Sequence, residues 1–129
     1  MKQYNIFISH SWKYNSDYYK IEKWLDDNFN WKNMSVPEHD PKTPSSNYAL
    51  KREIENNIKN STGMIILSGM YAIYSEWINT EMDIALKYNK PIIGIKPRGN
   101  VNTPMFISNN AYMVNWNSQS LFDAIRRYF

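Results

Sequence analysis

Apolar positions along the chain follow two rhythms, and the two alternate. Tyr4-Asn5-Ile6-Phe7-Ile8 reads as a strand that stops at the polar run Ser9-His10-Ser11. Tyr18, Ile21, Leu25 and Asn28/Phe29 then recur at helical spacings of three and four, with Asn15 or Ser16 placed to cap the first turn. Met34-Ser35-Val36 is read as a short second strand. The run Pro37 to Pro44 holds three prolines, which remove amide donors and favour extended neighbours, so a loop is expected there. Ser46 or Asn47 opens a second helix with the stripe Leu50, Ile54 and Ile58.

Gly63-Met64-Ile65-Ile66-Leu67 and Pro91-Ile92-Ile93-Gly94-Ile95 are continuous apolar runs, the pattern of strands covered on both faces. A third helix is expected between them, from about Ser75 to Tyr88. Thr103-Pro104-Met105 reads as a turn and Ala111 to Val114 as a last strand. Leu121, Phe122, Ile125 and Phe129 give a closing helix its apolar face. Strands that need double cover, alternating with helices, predict an α/β three-layer sandwich. The expected sheet is mainly parallel and five-stranded in the order 2-1-3-4-5, resembling flavodoxin, with residues 1–129 as one domain.

Composition narrows the chemistry. Among 129 residues there is no cysteine, which excludes disulfides, thiolate metal sites and cysteine nucleophiles. With only His10 and His39 as imidazoles, no metal site is expected. The net charge of +3 is mild and its lysines are scattered, unlike the concentrated basic face of a nucleic-acid binder. Apolar runs are far shorter than a membrane span or a secretory h-region, so a cytoplasmic protein without membrane contact is expected.

Parallel sheets bind ligands beyond the carboxyl ends of their strands. The residues expected there are Ser9, His10, Ser11 and Trp12, then Ser68 to Ser75. The first turn has no glycine, so neither dinucleotide nor mononucleotide glycine signatures are present. On the third helix Ile78, Met82 and Ala85 form one row, and Trp77, Glu81, Ile84 and Tyr88 the next. Glu81 is the one charge in both rows, and two readings stay open. It is a flank residue whose head reaches solvent or bonds locally, or a functional carboxylate facing a wet cleft. Ser75 reads equally as an N-cap or a ligand contact, Trp77 as core or contact, and Glu76 as a first-turn glutamate favoured by the helix dipole.

Two stretches carry a family resemblance. YNIFISHS, from Tyr4 to Ser11, resembles the opening strand and loop of a Toll/interleukin-1 receptor (TIR) domain. From Leu67 to Ile84, LSGMYAIYSEWINTEMDI is similar to that family's segment of spaced serine, tyrosine, tryptophan and glutamate, here Ser68, Tyr71, Ser75, Trp77 and Glu81. KNMSVPEHDP resembles the bacterial TIR-like branch of the Thoeris anti-phage defence system rather than animal members. Ile78 stands where many TIR domains carry cysteine, and their usual arginine–aspartate–proline–glycine loop is absent.

The resemblance implies cleavage of the nicotinamide–ribose bond of NAD, with Glu81 catalytic. It also implies Ser9, His10, Ser11, Trp12, Ser68, Tyr71, Ser75 and Trp77 as substrate contacts, and NAD as substrate rather than bound cofactor. It further implies an ADP-ribose-derived product read by a separate effector protein, together with self-association. A non-catalytic interaction module and a nucleotide-binding sensor are the alternatives.

Overall fold

The computed structural model describes residues 2–9, 16–36, 47–67, 71–96, 103 and 105–129, with the backbone alone for 71–76. Strand β1 (Tyr4–Ser9) is followed by α1 (Ser16–Asn28), β2 (Trp31–Asn33), α2 (Tyr48–Lys59), β3 (Gly63–Leu67) and α3 (Tyr71–Lys87). Then come β4 (Ile92–Ile95), the short α4 (Met105–Ser108), β5 (Tyr112–Val114) and α5 (Ser118–Tyr128). The five strands pair in parallel in the order β2-β1-β3-β4-β5, as the alternation predicts.

Side chains alternate across the pleat and build two cores. Ile6, Ile8, Ile65, Leu67, Ile93 and Ile95 face α1 and α5, meeting Tyr18, Ile21, Leu25, Leu121 and Ile125. Phe7, Met64, Ile66 and Ile92 face the other way, against Ile54 and Ile58 of α2, Ile107 of α4 and the apolar rows of α3. The helices thus form the two outer layers. Asn47 caps α2 by accepting from the Leu50 amide, and Asn117 caps α5 by accepting from that of Ser120, both at 3.0 Å.

Four expectations need correction. The second strand is Trp31–Asn33, not Met34–Val36. Met34 still donates to the Ile6 carbonyl at 2.8 Å, but side chains then replace the ladder. The Ser35 amide bonds to Asn33 Oδ1, and the Ile8 amide donates to Ser35 Oγ, both at 2.9 Å. Such local polar partners compete with sheet pairing and end it.

The third helix starts at Tyr71, so Ser75 lies inside it and is not its cap. Nothing in Tyr71-Ala72-Ile73-Tyr74 breaks a helix, the preceding breaker being Gly69. Glu76 is accordingly not in the first turn, which contains no acid. Strand β4 begins at Ile92. Pro91 has no amide to pair and supplies only its carbonyl, to the Met64 amide. Finally, the Met105 end of the expected turn opens α4, whose four residues are too few to show a helical period in sequence. The proline run lies outside the described residues.

Candidate active site

Strand alternation decides which side of the sheet Ser9 serves. It closes β1 on the face of Phe7, opposite Ile66 of β3, and is 1% exposed. Glu81 stands on α3, which covers that same face, and is 2% exposed. Two residues 72 positions apart therefore meet, with Ser9 Oγ donating to Glu81 Oε1 at 3.4 Å. Among the described residues this is the hydrogen bond Glu81 makes.

The flank reading of Glu81, with its head in solvent or bonded locally, does not hold: it is buried and bonds to a distant strand. Trp77, Ile78, Met82, Ile84 and Ala85 surround it along α3 and are all buried. Loss of water pushes the Glu81 carboxyl up to about 8, while the Ser9 hydroxyl pulls the other way. At neutral pH the side chain is therefore mostly an acid. A cation brought within a few ångströms favours the carboxylate and ionises it. Glu81 can thus hold a proton by itself and a negative charge beside a cation.

The remaining expected site residues divide three ways. Trp77 is 2% exposed and belongs to the apolar cluster under α3. Tyr71 and Ser75 share the backbone of α3 with Glu81, as its first and fifth residues. Their side chains, and all of His10, Ser11, Trp12 and Ser68, lie outside the described residues.

One polar cluster escaped the sequence reading. Asn33 Nδ2 donates to the Tyr18 hydroxyl and, at 2.9 Å, to Glu22 Oε2. Burial raises the Tyr18 phenol above its ordinary value, against the pull of the Asn33 bond. This cluster ties α1 to the end of β2 beside the Ile8–Ser35 bond, and so braces the carboxyl end of β1. The helical spacing of Tyr18 and Glu22 was visible in sequence, but not their partner fifteen residues from Tyr18.

No group of three or more histidine, cysteine or acidic residues able to hold a metal occurs among the described residues. No described helix is long and apolar enough to cross a membrane. A groove of about 620 Å³ lies at the amino ends of β4 and β5, lined by Leu86, Lys90, Pro91, Tyr112 and Tyr128 among others. It is at the opposite end of the sheet from Ser9, and none of its lining residues carries a carboxylate.

Comparison with known proteins gives both fold and family. The structure of a CMP N-glycosidase, BcmB, from Clostridium botulinum superposes with a TM-score of 0.61 at 11% identity, covering 95% of this chain and 98% of that one. A 3-dehydroquinate dehydratase-like protein from Bifidobacterium longum gives 0.53 at 9% identity, covering 99% and 95%. At these identities the likeness is one of fold. No curated protein matches the sequence. Residues 7–102 match the model of the Thoeris protein ThsB, TIR-like domain, a span that begins on β1, runs through α3 and includes both Ser9 and Glu81. The chain belongs to the Thoeris ThsB TIR-like family.

Proposed function

We propose that this protein cleaves the N-glycosidic bond of NAD or a related dinucleotide, with Glu81 as the catalytic carboxylate. The observation that carries the reading is the burial of one carboxyl group among apolar side chains at the end of the central strand. Nicotinamide leaves from a cationic precursor as a neutral base, so it needs no proton. The bond from the ribosyl carbon to nitrogen breaks and its electron pair stays with nicotinamide. An ionised Glu81 stabilises the oxocarbenium-like ribose that remains.

Water then adds and releases a proton, giving ADP-ribose, or a nucleophile of the same molecule adds and gives a cyclic product. The pyridinium charge of the substrate supplies the cation that a carboxyl titrating near 8 requires. Membership of a Thoeris family supports a role in anti-phage defence, with the product signalling to a separate effector.

The same carboxyl favours a second reading. At neutral pH Glu81 holds its proton, as a general acid for a neutral nucleobase would, on a fold shared with a CMP N-glycosidase. Incubation with NAD and, separately, with CMP, with products resolved by chromatography and mass, discriminates the two. The expected result is nicotinamide release with CMP intact, at a rate that rises with pH toward about 8. Cytosine release that falls above that pH would replace the proposal with the second reading. Cleavage of neither would return the chain to an interaction module or sensor.

A further inference from the structure

Ser9 carries a role distinct from substrate contact. Its backbone is fixed inside the sheet, in register with Ile66, and its side chain is buried on the face covered by α3. A hydroxyl buried among apolar groups is costly unless it is bonded, and this one points at the Glu81 carboxyl. We infer that Ser9 is a positioning residue, whose hydroxyl holds Glu81 Oε1 so that the other carboxylate oxygen is left for the substrate. This rests on the reading of Glu81 as the catalytic group.

Among the described residues Ser9 is the polar counterweight to this burial. From β1, α2, β3, β4 and α4 that core receives Phe7, Ile54, Ile58, Met64, Ile66, Ile92 and Ile107, none of them titratable. At the end of α3 Lys87 pairs with Glu55 at 2.9 Å, and the hydroxyl of Tyr88, the next residue, donates to the same carboxylate at 3.1 Å, so these groups are engaged elsewhere. Asp83 is exposed. Among the described residues, burial and the Ser9 bond are the influences on Glu81, and they oppose each other. A donor that favours the ionised form keeps the carboxylate within reach of neutral pH.

The test pairs carboxyl-carbon NMR titration of Glu81 with steady-state NAD consumption across pH, in the parent, Ser9→Ala and Ser9→Cys. Cysteine keeps the volume and the packing but donates weakly. In Ser9→Ala the carboxyl midpoint should rise by about one unit, and the inflection of kcat/KM should move with it. At neutral pH kcat/KM should fall about tenfold and recover to the parent value in alkali. Ser9→Cys should lie between the two.

An unmoved midpoint and pH profile in either folded variant would overturn the inference. So would a fall in kcat/KM that is equal at every pH, which would make Ser9 a substrate contact. If the parent leaves NAD intact, the catalytic reading fails by itself. The carboxyl midpoint still reports whether Ser9 holds Glu81.

Discussion

Between pH 4.5, the ordinary value of a glutamate, and about 8, the folded chain binds a proton at Glu81 that the unfolded chain has released. Stability therefore falls as pH rises through this window. Below it both states are protonated and the residue costs nothing by ionisation. Above it both are ionised and the cost is complete, on the order of 5 kcal/mol. Glu81→Gln removes the titration and keeps the shape. Its melting temperature should exceed that of the parent by a margin that widens from about pH 5 to pH 9. A constant margin would show that Glu81 ionises as easily in the fold as in water.

The sequence singled out this residue as the lone charge in two apolar rows, but pattern alone could not tell burial from a solvated flank. Ser9 was expected in the same site, but its direct bond to Glu81 could not be read. Ser9 lies 72 residues away, and only the pairing of β1 with β3 under α3 joins them. The phenol of Tyr18 and its Asn33 partner were hidden for the same reason.

At the scale of elements, the long apolar runs were legible because burial on both faces demands them, and β3 has the expected bounds. Short elements were not. Strand β2 has three residues and is ended by the Asn33 and Ser35 side chains, while α4 spans little more than one turn. Close approach between elements was equally invisible. A Cβ built on Gly63, at the start of β3, would lie 2.4 Å from a ring carbon of Phe129 after α5. Phe129 is itself buried in the core between the sheet and α1 and α5, so the ring must shift for any larger residue. Gly63→Ala should cost about 1–3 kcal/mol in denaturant unfolding. Unchanged stability would mean that the Phe129 ring is not held against β3.

On the scale of the whole molecule, a glycosidase and a dehydratase-like protein share this fold, so the architecture alone selects no reaction. What the sheet does is place the end of β1 beneath the middle of α3. That arrangement followed from the alternation of strands and helices and from the strand order, both legible in sequence. The protonation state of the carboxyl it buries did not, because it depends on water excluded by residues from five other elements. The central claim is that this carboxylate supports the developing ribosyl cation.

Steady-state NAD consumption by Glu81→Gln, beside Glu76→Gln and the parent at equal folded concentration, tests it most directly. A charge worth ~3–5 kcal/mol in the transition state predicts that Glu81→Gln loses a factor of about 10²–10⁴ in turnover. Glu76→Gln, a carboxylate lost from the same helix, should stay within a few-fold of the parent. Parent-like turnover by a folded Glu81→Gln would contradict the account.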